Sequence, residues 1–196
     1  MSTPDEHTRV SGVIHRIGLL GAESSGKSTL SVALTDKLNQ LGIKAVTVPE
    51  YLREWCELHG RTPEFSDQNE ILQGQIAAED RAARLNPGAV LVCDPAAITT
   101  PLYSHLYFAD STELDLSLLA RYDLLLWCDI DFDWAPDPLR DGHRMREHMH
   151  HLIANSHSEF ERFHRETIPL ISGDLSERTD SAIAIFKGRR GNPERP

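Results

Sequence analysis

Eight residues near the start of the chain read Gly21-Ala22-Glu23-Ser24-Ser25-Gly26-Lys27-Ser28, a glycine-rich loop of the form G-x-x-x-x-G-K-S. The preceding Ile14–Leu20 is mostly apolar and predicts a strand, and the following Thr29–Leu41 has helical spacing. Between a strand and a helix, such a loop cradles phosphates, because its glycines let successive backbone N–H groups point inward. We therefore expect ATP to bind at Gly21 to Thr29.

Two side chains of this loop have specific chemical roles. Lys27 supplies a positive charge for the β- and γ-phosphates, and the hydroxyl of Ser28 is expected to ligate Mg²⁺. The positive end of the following helix adds to the attraction for phosphate. The alternative is a chance Gly/Ser turn, which the agreement of motif and context disfavours.

The composition is that of an ordinary globular protein. The 196 residues are 40% hydrophobic and 26% charged, and the formal net charge is −10. That charge argues against non-specific binding to nucleic acid or to anionic membranes, because both require a basic surface. No apolar run is long enough to span a bilayer, and Met1–Thr8 lacks the apolar core of a signal peptide, so we expect a cytoplasmic protein.

Strands and helices alternate along the chain. The predicted strands are Ile14–Leu20, Ile43–Val48, Ala89–Cys93, Tyr122–Ile130 and Ile168–Ile171. The predicted helices are Thr29–Leu41, Glu50–His59, Asp67–Leu85, Ile98–Phe108, Glu113–Ala120, Arg144–Arg165 and Glu177–Phe186. This order predicts an α/β fold, a parallel sheet of about five strands with helices on both faces, as in phosphate-loop hydrolases and kinases. We expect one such domain over residues 13–187, between a flexible leader (1–12) and a flexible tail (188–196).

Carboxylates stand at the ends of two predicted strands, on the edge of the sheet where ligands bind. Glu50 comes shortly after Val48, and Asp94 directly follows Cys93. Glu50 could accept a proton from an attacking hydroxyl, Asp94 is placed to approach Mg²⁺, and either could be the catalytic base. Structural roles stay open for both, as a helix-dipole glutamate and a helix-capping aspartate.

A basic loop late in the chain, from Trp134 to Arg146, has the composition of a lid over the triphosphate. It holds three arginines, which follow two prolines that stiffen it. An arginine folded over the γ-phosphate would stabilise charge during transfer, and we assign this role to Arg140, with Arg144 as a second candidate. A solvated, basic start of a helix is the alternative.

Two further groups of residues are candidates for binding. Gly173 follows the last predicted strand and Arg178 comes one turn later, at a position where adenine often lies in kinase-like folds. An ordinary strand–helix turn is the alternative. Histidines crowd the region around the next-to-last predicted helix, but no cysteine or close carboxylate completes a metal site, so we favour a hydrophilic face. They are His143, His148, His150, His151, His157 and His164.

The same residues resemble those of a known family. Gly21 to Leu30 is similar to the phosphate loop of the ribosylnicotinamide kinase domain of NadR-type proteins and their ATP-binding relatives. The resemblance extends from residue 14 to 187. It includes Pro49-Glu50-Tyr51-Leu52-Arg53-Glu54, Gln75, Asp94, Thr99-Thr100, Tyr122-Asp123-Leu124 and a lid segment, Trp134 with Pro136-Asp137-Pro138-Leu139-Arg140.

This resemblance implies a kinase that uses ATP and Mg²⁺ to phosphorylate the 5′-hydroxyl of nicotinamide riboside, a small nucleoside-like substrate. Two positions depart from the family pattern. Asp94-Pro95-Ala96 stands where the kinases have Asp-Thr-Asp, and Pro138 stands where glycine is common in the lid. A kinase for nucleic-acid ends is disfavoured by the acidic charge. The sequence leaves the oligomeric state open.

A function of another class is a regulatory module that binds ATP and hydrolyses it slowly. Asp94-Pro95-Ala96 fits this alternative somewhat better than it fits the kinase pattern. An ATP-hydrolysing motor is disfavoured, because it usually carries a second acid directly after the first. A GTPase switch is disfavoured because the Asn-Lys-x-Asp motif that reads guanine does not occur in the sequence.

Overall fold

A computed structural model of this protein describes residues 15–110, 112–133, 142–164 and 166–190. Within these ranges the strands are β1 (Arg16–Leu20), β2 (Ala45–Val48), β3 (Val90–Cys93), β4 (Leu124–Cys128) and β5 (Leu170–Ile171). Neighbouring strands pair in parallel, in the order β2-β3-β1-β4-β5. The predicted parallel sheet of about five strands is confirmed. The predicted leader over 1–12 lies outside the described residues.

Helices connect the strands where the sequence predicts them. They are α1 (Lys27–Gln40), α2 (Tyr51–His59), α3 (Gln68–Leu85), α4 (Thr99–Phe108), α5 (Gly142–His164) and α6 (Leu175–Arg190). Short 3₁₀ helices form at Phe65–Asp67 and Leu116–Arg121. No helix in the described ranges combines the length and the apolar character needed to cross a membrane.

The helices cover both faces of the sheet, as predicted, and each face has its own apolar core. The core beneath α1 and α6 includes Leu30, Leu34, Leu38, Leu126, Ile183 and Phe186. The core beneath α4 and α5 includes Leu91, Leu102, Leu125, Met149, Ile153 and Phe160. With both faces covered, the strands are buried along their length, which is why they read as continuous apolar runs in the sequence.

Around β4, one predicted helix differs in type and start, and the predicted strand is longer than the observed one. The segment predicted as a helix over Glu113–Ala120 forms a 3₁₀ helix that starts only at Leu116, because the Asp115 side chain accepts a hydrogen bond from the Ser117 N–H (3.0 Å). β4 starts at Leu124 rather than Tyr122 and ends at Cys128. The Asp123 carboxylate, just before β4, accepts hydrogen bonds from the backbone N–H groups at the start of β1.

The last helix is longer than predicted. α6 continues to Arg190, so residues 188–190 of the predicted tail are helical, while 191–196 lie outside the described residues. Arg189 anchors this end of the helix, because its guanidinium donates hydrogen bonds to the carbonyls of Asp123 (3.2 Å) and Thr167 (2.5 Å). The basic composition that predicted a tail therefore belongs to the last turn of a helix, where cations also favour the helix dipole.

A buried polar cluster joins α3 to the loop that follows β3. The Tyr122 hydroxyl donates to Glu79 Oε1 (2.7 Å) and accepts from the Ala97 N–H (2.5 Å). Arg121 and Arg16 pair with the same Glu79 carboxylate at 3.2 and 3.7 Å. Burial raises the pKa of Glu79, while Tyr122 and the two arginines act to lower it. The cluster fixes the segment that leads from Asp94 into α4.

Replacing Tyr122 with phenylalanine tests this cluster. The variant leaves the Ala97 N–H and a Glu79 oxygen buried without their partner, so we expect the free energy of unfolding to fall by about 1–3 kcal/mol. Urea denaturation measures the change. Tyr51→Phe is the matched control, because Tyr51 contributes its backbone N–H to a hydrogen bond, and its change is expected to stay within about 0.5 kcal/mol. Equal losses in the two variants would contradict the role given to the Tyr122 hydroxyl.

Candidate functional site

The glycine-rich loop between β1 and α1 has the backbone shape that its sequence predicts. Gly21 has φ +150° and Gly26 has φ +78°, and both values suit glycine. A Cβ on Gly21 would lie 2.6 Å from Ser25 Oγ and 3.1 Å from the Cys128 carbonyl oxygen. A side chain at this position would therefore collide with the loop itself.

Lys27 closes this loop on itself. Its ammonium group donates hydrogen bonds to the carbonyls of Gly21 (3.0 Å) and Ala22 (2.5 Å), and the residue is only 7% exposed. α1 starts at Lys27, so the N–H groups of its first turn, which includes Ser28 and Thr29, have no acceptor within the helix. Together with the positive end of the helix, these N–H groups form a concave site suited to phosphate oxygens.

Arg178 of α6 braces the same loop from the other side. Its guanidinium donates to the carbonyls of Ser25 (2.9 Å) and Gly173 (2.7 Å) and pairs with the Asp131 carboxylate. The structure therefore brings Gly173 and Arg178 together next to the loop, as the sequence suggests. Because Arg178 is only 3% exposed, its described contacts are those of a structural brace rather than of a surface for adenine.

Arg146 of α5 was missed as a site residue by the sequence analysis. It is 2% exposed, donates to the Phe132 carbonyl (2.8 Å), and its Nε has no hydrogen-bond partner among the described residues. Its guanidinium lies over the Phe132 ring at 5.2 Å, and that of Arg178 lies 4.9 Å from the same ring. Burial and the charge of Arg178 lower the pKa of Arg146.

The Phe132 ring places this arginine next to the glycine-rich loop. A Cβ on Gly26 would come within 3.3 Å of the ring, so the ring covers the point where α1 begins. The spacing in α5 could have revealed Arg146, since it falls on the buried stripe with Met149, Ile153 and Phe160. Arg144 lies off that stripe and is exposed, and Arg140 lies outside the described residues.

The two predicted carboxylates lie on neighbouring strand ends. Asp94 is 5% exposed and directly follows β3, which pairs with both β1 and β2. Glu50 precedes α2 and forms an ion pair with Arg53 (3.3 Å). The Gln75 side chain joins their elements, because it accepts from the Tyr51 N–H (2.9 Å) and donates to the Pro95 carbonyl (3.4 Å).

A cleft of about 400 Å³ opens beside the glycine-rich loop, between α2, α3 and α4. Its polar lining includes Glu23, Lys27, Glu50, Arg53, Gln75 and Thr99, and its aromatic lining includes Tyr103, Tyr107 and Phe108. The structure thus places Lys27 and Glu50 in one cleft. Asp94 does not line this cleft, although the next residue, Pro95, does. Glu23, which was predicted as a nucleotide contact, also lines this cleft.

The comparisons with known proteins agree with this geometry. A family model described as an AAA domain, AAA_28, matches residues 16–178, which is most of the chain. The chain belongs to the AAA_28 family. No curated protein matches it.

Several solved structures share the fold of this AAA_28 chain. A NadR protein in complex with NR has a TM-score of 0.67 at 22% identity, over 91% of this chain and 51% of that one. This chain therefore spans about half the length of that protein. Deoxyadenosine kinase from M. mycoides with bound dATP has a TM-score of 0.60 at 13% identity, over 88% of this chain and 99% of that one. Shikimate kinase from Acinetobacter baumannii in complex with shikimate has a TM-score of 0.51 at 14% identity, over 94% of this chain and 97% of that one.

The residues of the AAA_28 chain also fit the magnesium ion predicted from the sequence. Ser28 is exposed at the start of α1, and its hydroxyl and the Asp94 carboxylate are the oxygen donors that Mg²⁺ prefers. Asp94 directly follows β3, and β3 pairs in parallel with β1, the strand that leads into the loop. The acid and the phosphate cradle therefore lie at the same edge of the sheet.

The histidines of α5 are not a hydrophilic face throughout. His164 is buried and bonds to the Tyr122 carbonyl (2.9 Å), while the rings of His150 and His157 pack on Trp127. Only His148 and His151 are exposed among those whose side chains are described. In the described ranges, no group of three His, Cys, Asp or Glu side chains is arranged to hold a metal ion.

Proposed function

We propose that this chain is a kinase that transfers the γ-phosphoryl group of ATP to the hydroxyl of a small nucleoside-like acceptor, with nicotinamide riboside as the expected acceptor. The observation that carries this proposal is the shared cleft, in which the loop lysine and the Glu50 carboxylate line one cavity. A site for phosphoryl transfer needs the donor phosphate and the acceptor hydroxyl side by side. A site that only hydrolyses ATP has no need of a cleft of this size beside the phosphate-binding loop.

The donor side of the site consists of the loop and the residues that brace it. The N–H groups of the loop and of the first turn of α1 would bind the β- and γ-phosphates, and Lys27 would turn from its carbonyl partners to them. Mg²⁺, held by Ser28 and Asp94, would neutralise charge on the phosphates. Arg146 lies next to the loop, where its charge would stabilise the transfer, and Arg140 and Arg144 remain candidates for the same task.

The acceptor side of the site points to Glu50 as the base. Glu50 and Lys27 both line the cleft, whereas Asp94 is buried and is not among the described residues that line it. A carboxylate at this place can orient the acceptor hydroxyl and take its proton as the new bond forms. Gln75 supports the geometry, because it joins the residue after Glu50 to the residue after Asp94.

The choice of nicotinamide riboside rests on similarity and on the walls of the cleft. The NadR structure that shares the fold is described as a complex with NR. Tyr103, Tyr107 and Phe108 would offer aromatic faces to a flat ring. Ala96 stands where the kinases have the second acid, and it is fully buried in the core and not among the described residues that line the cleft.

Incubation with ATP, Mg²⁺ and a panel of nucleosides tests this function. We expect the wild-type protein to convert nicotinamide riboside to the mononucleotide. Lys27→Ala should lower kcat by about a hundredfold or more, because it removes a charge that stabilises the transition state. Lys37→Ala, at the other end of α1, is the matched control. ATP binding with no phosphorylated nucleoside would instead support the regulatory module.

The two arginines at the start of α5 give a second test. Arg146→Ala should lower kcat/KM for ATP by roughly tenfold to a hundredfold, since a hydrogen bond to a charged group contributes about 1.5–3 kcal/mol. Arg144→Ala removes the same charge from an exposed position, and we expect a smaller loss. Steady-state kinetics measures both variants. A larger loss in Arg144→Ala than in Arg146→Ala would contradict the role given to Arg146 and would favour Arg144, the second candidate from the sequence.

A further inference from the structure

Glu23 is a buried carboxylate with one oxygen unpaired. The residue is 2% exposed, although it belongs to a loop at the edge of the sheet. Its Oε2 accepts a hydrogen bond from the Tyr103 hydroxyl (2.7 Å), and its Oε1 has no hydrogen-bond partner among the described residues. Burial of an unpaired carboxylate oxygen is costly, so such an atom indicates a partner that arrives with a ligand.

The position of Glu23 indicates which ligand that is. Its side chain lines the cleft together with Glu50, Tyr103 and Thr99, on the acceptor side of the glycine-rich loop. A carboxylate would repel the phosphates of the donor, whereas it accepts hydrogen bonds well from hydroxyl groups. The partner that fits Oε1 is therefore a hydroxyl of the acceptor.

We infer that Glu23 is a specificity-determining residue that binds a ribose hydroxyl of the acceptor through Oε1, while Tyr103 holds the carboxylate in place. The glycine-rich loop then contacts the acceptor through Glu23 and binds the phosphates of the donor through its N–H groups. This inference rests on the proposed function. It limits the acceptor to ribosides in which the ribose hydroxyl that Glu23 binds is present and unsubstituted.

The charges of the cleft support an acceptor that carries no anion. Of the described residues that line it, the charged ones are Glu23, Lys27, Glu50 and Arg53. Lys27 is bound to the loop carbonyls, and Arg53 lies 3.3 Å from the Glu50 carboxylate. Two carboxylates thus line the cleft and only one of them is paired with Arg53, so a neutral or cationic riboside is favoured over an anionic sugar acid.

Calorimetric titration in the presence of Mg²⁺ and a non-hydrolysable ATP analogue separates binding from turnover. The ligands are nicotinamide riboside, its 2′-deoxy and 3′-deoxy analogues, adenosine and shikimate. We expect wild-type protein to bind at least one of the two ribosides and not shikimate. Glu23→Gln, which keeps the shape of the side chain, should weaken binding of that riboside by roughly tenfold.

The deoxy analogues show whether Glu23 contacts the hydroxyl directly. For the analogue that lacks this hydroxyl, Glu23→Gln should cause less than a twofold further change, because the interaction is already absent. If adenosine is the riboside that binds, its own 2′-deoxy and 3′-deoxy forms replace those of nicotinamide riboside. Glu54→Gln, on the exposed side of α2, removes the same charge away from the cleft and should leave riboside binding unchanged.

Each failure has a distinct signature. Equal weakening of the riboside and both of its deoxy analogues by Glu23→Gln would overturn the inference, as would a loss of affinity for the ATP analogue of the same size. No binding of either riboside to wild-type protein would also overturn it. Binding with the expected dependence on Glu23, but no phosphorylated product with ATP, would overturn the kinase proposal and leave the role of Glu23 standing.

Discussion

The site depends on the way in which the carbonyl groups of the glycine-rich loop are held. Those of Gly21 and Ala22 accept hydrogen bonds from the Lys27 ammonium group, and that of Ser25 accepts one from the Arg178 guanidinium. A peptide group whose carbonyl is fixed on one side presents its N–H on the other. Two buried cations therefore give the loop its concave, donor-lined shape before any ligand binds, and this preorganisation is what makes electrostatic stabilisation effective.

The acceptor cleft is placed against this loop by close packing between helices. A Cβ on Gly74 of α3 would lie 2.0 Å from the Tyr51 ring, so α2 can approach α3 only because position 74 has no side chain. That approach brings Glu50, which precedes Tyr51, to the cleft. The hydrogen bonds of Gln75 to Tyr51 and Pro95 fix the start of α2 relative to the end of β3. The same residues thus join the packing of the fold to the chemistry proposed for it.

The sequence predicted the parts of the structure that local chemistry determines. The loop, its flanking strand and helix, and the carboxylates at the strand ends follow from short motifs and from the rule that ligands bind beyond the carboxyl ends of parallel strands. The surroundings of Glu23 and Arg146 could not be predicted, because they come from other segments of the chain. The contact of Glu23 with Tyr103 spans 80 positions, and Arg146 bonds to the Phe132 carbonyl in the loop that follows β4.

The central claim is that the loop beginning at Gly21 binds Mg·ATP in the shape described here, and calorimetric titration tests it most directly. We predict saturable binding of one ATP per chain in the presence of Mg²⁺. Gly21→Ala should abolish that binding, because φ +150° is strained for alanine and the added Cβ would lie 3.1 Å from the Cys128 carbonyl oxygen and 2.6 Å from Ser25 Oγ. Binding that Gly21→Ala leaves unchanged in a folded protein, or no heat with the wild-type chain, would contradict the account.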